Sequence, residues 1–470
     1  MNRGDDGSTA ADVLDAAGFA GDDVEAWKQA EPRATADYAS DCARFSTYWQ
    51  TSTRLLARLP PRARRSEREQ AAAAAIQEAA RAARSRFLAH HGDAVYDALT
   101  DRRARFVRLE HLVVEAARAV PGLVPEAQQI AAEDGFKQKD KDGLEIDQGL
   151  FLAAVLRGER SGRHLCHAML LPRPDAQALL PQLERDGRVE LPGASIERAG
   201  KAAVVTLKNP RFLNAEDQTT LDGTETCVDL ALLDPRAEVA VLRGAVVEHP
   251  KYRGRRVFGA GINLTHLYHG RIPFIWYLQR DLGYVNKLYR GLARGDDAPP
   301  DEFGGETVEK PWIAAVETFA IGGHCQILLA VDYVIAERNA FLTLPARKEG
   351  IIPGAANMRL PRFTGDRIAR QAIQYERRLP CDSAEGRLVC DEIVDDGAMD
   401  AGLAQVVAGL TSSGVVSAAG NRRAIRITQE PLDMFRAYFA VYAREQAYCH
   451  FSPALIANLE RHWNAQNRKV

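Results

Sequence analysis

No Cys-x-x-Cys pair occurs in this chain of 470 residues, and its seven cysteines (Cys42, Cys166, Cys227, Cys325, Cys381, Cys390 and Cys449) are scattered and odd in number. That spacing argues against a disulfide framework and against the common zinc sites. No apolar run approaches the ~20 residues that a bilayer crossing takes. The first residues lack the apolar segment of a signal peptide. Charge of one sign is not in excess either: 61 Lys and Arg stand against 63 Asp and Glu. A dedicated nucleic-acid binder usually shows a strong basic surplus, so that class is disfavoured. The expectation is a soluble cytoplasmic protein with reduced thiols. What the chain does have is apolar material: 46% of its residues are hydrophobic. At this length they serve two or three domains.

Residues 9 to about 195 read as mostly helical. Ser66 and Glu69 fit a capping box, each satisfying the other's exposed backbone N–H. The alanine-rich run behind them favours helix and is expected to end near His91-Gly92, where glycine suits a left-handed C′ position. Val95, Leu99, Phe106, Leu109, Leu112 and Val113 predict a second amphipathic helix over 93–120. The charged stretch 136–143 fails as a calcium loop, because its glycine falls too early, and reads as a solvated loop. His164, Cys166 and His167 lack a second ligand pair and read as ordinary helix residues. Beyond Pro192-Gly193 the character changes. Ala202–Leu207, Val239–Leu242 and 332–336 read as buried strands separated by helices, which argues for an α/β domain with parallel pairing. The expected division is a helical domain over 1–196 and an α/β domain over 197–470, helical again from about 415.

Glycine and small residues then mark where backbone comes close to something else. The strand Ala202–Leu207 runs into Lys208-Asn209-Pro210-Arg211-Phe212-Leu213-Asn214-Ala215-Glu216, a strand-to-helix loop with Asn214 as a possible N-cap. Val257-Phe258-Gly259-Ala260-Gly261-Ile262-Asn263-Leu264 follows. Then come Ala320-Ile321-Gly322-Gly323-His324-Cys325-Gln326, Leu344-Pro345-Ala346 and Gly350-Ile351-Ile352-Pro353-Gly354. A lone Gly-Gly is weak evidence. The ordered set, over residues 200–375, resembles the active-site frame of the crotonase (enoyl-CoA hydratase) superfamily. The resemblance implies a crotonase-like ββα spiral core. It also implies an oxyanion hole made by the backbone N–H groups of Ile262 and Gly323, with a helix starting at Gly323. Two such amides stabilise charge that develops only when the α-proton leaves. By position, Arg211, Phe212, Ala260, Gly261, Asn263 and Leu264 inherit contacts to substrate. Lys251, Arg253, Arg255 and Arg256 are candidates for the coenzyme A phosphates.

Departures from the pattern carry the functional information. The two places where a hydratase has its catalytic glutamates hold Gln326 and Ala346. An amide is no base near neutral pH, and a hydratase needs a carboxylate pair to activate water. Hydration is therefore rejected, while enolate formation is kept. The aromatic-rich insertion 268–281 carries Arg280. With Glu216 it is expected to hold polar groups on a ring, the competing reading being a structural salt bridge. Ala346, Ile351 and Ile352 would form a dry apolar space for oxygen, and Gln326 would orient the substrate. Within the superfamily the chain resembles the cofactor-independent dioxygenases acting on an arylacetyl-CoA in glycopeptide-antibiotic biosynthesis. That resemblance implies conversion of 3,5-dihydroxyphenylacetyl-CoA and O2 to 3,5-dihydroxyphenylglyoxylate and CoA, with no metal and no flavin. It also implies a homo-oligomer, a trimer or a dimer of trimers. The competing readings are an arylacyl-CoA thioesterase or isomerase, and a degenerate crotonase serving as a scaffold or RNA binder. The sequence assigns no base to the α-proton.

Overall fold

The structure is a computed structural model, and it describes residues 10–295, 307–413 and 416–470. The reading of residues 1–9 falls outside that range. Among the described residues twelve strands are formed: β1 (Arg188–Leu191), β2 (Ala194–Ala199), β3 (Ala202–Leu207), β4 (Val239–Gly244), β5 (Leu292–Ala293), β6 (Thr307–Val308), β7 (Trp312–Val316), β8 (Phe319–Ile321), β9 (Tyr333–Glu337), β10 (Phe341–Thr343), β11 (Leu379–Pro380) and β12 (Glu392–Val394). The main sheet runs β1-β2-β3-β4-β7-β9-β12. It begins as two antiparallel pairs and continues parallel from β3 to β12. The parallel core agrees with the α/β expectation. A second sheet, β11-β10-β8, carries the loop ends that build the site.

Period-two alternation splits the apolar residues of the main sheet between two faces. Val239, Val241, Ile313, Ala315 and Ile335 pack with Met399, Leu403 and Val406 of the helix Met399–Leu410. Their neighbours Ala240, Leu242, Trp312, Ala314, Val316, Val334 and Ala336 join the large core on the other side. That core also takes in Phe45, Trp49 and Phe87 from the N-terminal helices and Phe435, Phe439 and Tyr442 from the C-terminal ones. One apolar core thus runs through both of the expected domains, and β1 and β2 begin ahead of the expected boundary at 197.

The N-terminal helices depart from the periodic reading at one junction. The Ser66–Glu69 capping box is present, but its helix runs on through His91-Gly92 as Glu67–Leu99. Gly92 does not end it: it is a small residue at a helix contact, where a Cβ would lie 3.7 Å from the Cβ of Ala154. The break comes at Asp101, Arg102 and Arg103, all at positive φ, and the next helix is Leu109–Ala119. The expected helix over 93–120 is therefore two pieces. Periodicity alone did not see a turn made by charged residues without glycine.

The stretch 136–143 is also less solvated than expected. Lys141 is buried and its Nζ donates to the Gly270 carbonyl at 2.8 Å, while Gln138 donates to the His450 carbonyl at 2.9 Å. Glu145, just beyond, accepts the Phe274 N–H at 2.5 Å. The N-terminal region is thereby fastened to the aromatic insertion that forms one wall of the site.

Candidate functional site

Two backbone turns shape the segments that carry Ile262 and Gly323, the expected oxyanion amides. Gly261 and Gly322 both have positive φ, 77° and 55°, a region open to glycine and strained for other residues. A parallel bridge joins Ile262 to Glu216: the Glu216 N–H donates to the Gly261 carbonyl, and the Asn263 N–H to the Glu216 carbonyl, both at 2.7 Å. In that pattern the flanking residues make the bonds, so Ile262 keeps its own N–H free of the ladder. Gly323 is the first residue of the helix Gly323–Leu328, where an N–H has no partner one turn back. The helix begins where the sequence placed it.

His324 holds this geometry. Its Nδ1 accepts the Gly261 N–H at 3.0 Å, which makes Nε2 the protonated nitrogen. Burial, only partly offset by Glu216, pushes its pKa down to about 4, so the ring is neutral and able to accept. The sequence reading passed over His324. Its position directly behind Gly322-Gly323 was the available signal.

A cavity opens in front of the two amides. Of the expected site residues it is lined by Ile262, Gly323, Gln326, Arg280, Ala346, Ile351 and Ile352, together with Trp276, Tyr277, Asp281, Glu349 and Tyr442. Trp276, Tyr277, Arg280 and Asp281 all stand on the helix Ile275–Leu282, so the aromatic insertion does supply a wall. Tyr442 comes from the distant helix Leu432–His450 and left no local signal in the sequence.

Arg280 is the electrostatic centre. Its Nε donates to Glu216 at 2.8 Å, Nη1 to Asp281 at 2.6 Å and to Gln326 Oε1 at 3.1 Å, and Nη2 to the Gly323 carbonyl at 2.7 Å. Glu216 sits behind it, also bonded to the Tyr284 hydroxyl. Burial raises the Glu216 pKa, but the Arg280 guanidinium outweighs it and holds the carboxyl below its ordinary value. For Asp281 burial wins over the same guanidinium, and its pKa is raised. The second oxygen of Glu216 has no hydrogen-bond donor. The pair is thus a buried ion pair whose arginine faces the cavity.

Other expected substrate contacts fall elsewhere. Glu216, Arg211, Phe212, Ala260, Gly261, Asn263 and Leu264 do not line the cavity. Asn263 is spent on structure: its Nδ2 donates to Asp217 at 2.9 Å and its Oδ1 caps the helix Leu264–Tyr268. Arg211 is exposed, with its guanidinium over the Phe212 ring at 5.2 Å. Asn214 is not an N-cap. It bridges Asn209, Ala245 and Val257, and Asp217 caps the helix Gln218–Leu233 instead. Lys251, Arg253 and Arg255 are exposed on the loop after β4, whereas Arg256 is half-buried and donates to the Gly244 carbonyl. Among the described residues no group of three or more His, Cys, Asp or Glu could hold a metal ion, and no helix is long and apolar enough to cross a membrane. His164 is instead bonded to the Tyr96 hydroxyl at 2.7 Å.

The enoyl-CoA hydratase/isomerase family model matches residues 305–428. The (3,5-dihydroxyphenyl)acetyl-CoA 1,2-dioxygenase of Amycolatopsis orientalis is 47% identical over 395 residues, covering 84% of this chain and 89% of its own. A short-chain-enoyl-CoA hydratase of Clostridium acetobutylicum is 31% identical over 42% of this chain and 66% of its own. Among solved structures, a carnitinyl-CoA hydratase from Mycobacterium avium superposes with a TM-score of 0.48 at 21% identity, over 60% of this chain and 98% of the other.

Proposed function

The chain belongs to the crotonase (enoyl-CoA hydratase/isomerase) superfamily, in one family with (3,5-dihydroxyphenyl)acetyl-CoA 1,2-dioxygenase, and from that premise we propose that it oxidises 3,5-dihydroxyphenylacetyl-CoA with O2 to 3,5-dihydroxyphenylglyoxylate and CoA. The near full-length match to that dioxygenase carries the reading. The site supports it: an oxyanion frame faces a cavity whose two hydratase positions hold Gln326 and Ala346.

The thioester oxygen is placed against the N–H groups of Ile262 and Gly323. Loss of the benzylic α-proton then yields a carbanion delocalised into thioester and ring. Triplet O2 reacts poorly with closed-shell molecules, so this electron-rich carbanion supplies one electron itself, and the radical pair closes to an α-peroxide. The peroxide attacks the thioester carbonyl and expels CoA. Cleavage of the O–O bond with loss of the second α-proton leaves the α-keto acid. No cofactor enters this sequence of steps. Arg280, which lines the cavity, is assigned to a ring hydroxyl, with Glu216 behind it holding the guanidinium in place, and Gln326, oriented by Arg280, to the substrate or peroxide. Assembly as a trimer or a dimer of trimers is carried over from the superfamily, and seven free cysteines support a reducing, cytoplasmic setting.

Oxygen electrode traces with chelator-treated, flavin-free protein test the reading. One O2 consumed per CoA released is expected, and CoA release without oxygen uptake identifies a thioesterase instead. Ala346 is 7% exposed, opening into the cavity. Ala346→Leu fills that space and is expected to cut oxygen uptake by about tenfold or more, with CoA-ester affinity little changed. Unaltered uptake would remove Ala346 from the oxygen pocket.

A further inference from the structure

The hydratase carboxylate is absent at Ala346, yet a carboxylate reaches the cavity from one turn further on. Ala346 and Glu349 open and close the short helix Ala346–Glu349. A spacing of three puts both on one face, and both line the cavity. Glu349 is 4% exposed. Among the described residues its carboxylate has neither a hydrogen-bond donor nor an ion-pair partner, whereas Glu216 and Asp281 are both held by Arg280. A Cβ built on Gly322 would lie 3.7 Å from Glu349 Oε1 and 4.0 Å from Oε2. Gly322 immediately precedes the Gly323 amide, so the free carboxylate stands beside the oxyanion hole.

We propose that Glu349 is the general base that takes the α-proton of the thioester, an inference that rests on the enolate-forming reading of the site. The proton moves to the carboxylate. The C–H electron pair moves into the enolate, whose oxygen is held by the amides of Ile262 and Gly323. No oxidant is needed in this step.

Chemistry agrees with placement. Burial, reinforced by Glu376, pushes the Glu349 carboxyl up to about 7. A base poised near the working pH is still ionised there and stronger than an ordinary carboxylate. The groups that face it leave it unneutralised. From the helix Ile275–Leu282 come Tyr277 and the Arg280–Asp281 pair, and from the helix Leu432–His450 comes Tyr442. Glu376 is already paired with Lys348. From the helix Pro453–Trp463, the backbone of Leu455 and the amide of Asn458 come nearest to the neighbouring Gly350.

The test separates proton removal from oxygen chemistry. Anaerobic release of deuterium from α-deuterated 3,5-dihydroxyphenylacetyl-CoA is followed for the wild type, Glu349→Gln and Glu349→Asp. The Gln variant is expected to lose exchange by about 10²-fold or more, with the Asp variant in between. Exchange by the wild type should rise with pH through about 7, the value to which the group is raised. Stability should move the opposite way. A carboxylate with a raised folded pKa loses stability as pH climbs from its ordinary value of 4.5 to about 7. The Gln variant is therefore expected to melt above the wild type at pH 8 and level with it at pH 4. A Glu349 held ionised by a structural partner would give the reverse. Exchange at the wild-type rate in Glu349→Gln overturns the proposal and leaves the dioxygenase reading standing. Exchange that the wild type shows and Glu349→Gln loses, without oxygen uptake, supports the base and overturns the dioxygenase reading. Absence of exchange in the wild type overturns both.

Discussion

Gly323→Ala is expected to lower kcat by about 10²–10³-fold, the cost of losing one oxyanion donor, while the protein still folds. A Cβ on residue 323 would lie 2.5 Å from Glu216 Oε2 and 3.0 Å from Arg280 Nη2. Something must shift, and neither neighbour is loose. Glu216 is tied to Arg280 and Tyr284, and Arg280 in turn to Asp281 and Gln326. The Gly323 carbonyl itself accepts from Arg280 Nη2 at 2.7 Å. The cheaper movement is a displacement of the first helical turn, which carries the N–H away from the thioester oxygen. KM should change less than kcat, because the oxygen is most negative after the proton has left. Steady-state kinetics on the arylacetyl-CoA, with a melting curve as a control for folding, decide it. A kcat within a few-fold of the wild type would mean that Gly323 is not an oxyanion donor.

The glycine turns that carry Ile262 and Gly323 were legible in the sequence because a tight backbone turn leaves a glycine trace. Gly261 and Gly322 adopt φ values that side chains resist, and their order along the chain is preserved by the fold. The parallel sheet was legible for a similar reason, since strands buried on both faces read as continuous apolar runs. Charged residues were harder to place, because a side chain's role depends on what packs against it. Asn263 reads as a substrate contact beside Gly261, yet its amide is taken by Asp217 and by a helix end. Glu349 reads as one charge in the run Arg347-Lys348-Glu349. Only the short helix, closed by Gly350 at φ 78°, turns it back to the face of Ala346. Comparing single positions shows Gln326 and Ala346 where a hydratase has its carboxylates, and it cannot show that Glu349, three residues on, lines the same cavity. Tyr442 and Lys141 arrive from segments distant in sequence, and no local pattern announces such contacts.

Arg280→Met is expected to cost about 3–5 kcal/mol of folding stability, the usual penalty for leaving a buried charge without its partner. Arg280 is 2% exposed and serves Glu216 and Asp281, at 8% and 3%, so its removal strands two carboxylates at once. Methionine fills much of the same volume, which keeps the cavity term small. The pH dependence identifies the cause. In the wild type the Glu216 pKa is depressed, so this ion pair contributes above the ordinary glutamate pKa and fades as pH falls through the folded value. Without the guanidinium, burial is opposed only by the Tyr284 hydroxyl and His324, and the carboxyl shifts upward and binds a proton. The stability gap between wild type and variant should therefore be wide at pH 7 and narrow near pH 4, as read by denaturant midpoints. Glu216→Gln placed in the Arg280→Met background should restore part of the loss, because residues within one ion-paired network do not add independently. Arg280→Lys should recover little, since an ammonium cannot reach Glu216, Asp281, Gln326 and the Gly323 carbonyl together. An equal gap at both pH values would assign the loss to packing rather than to charge, and would return Arg280 to the wall of the cavity as a spacer.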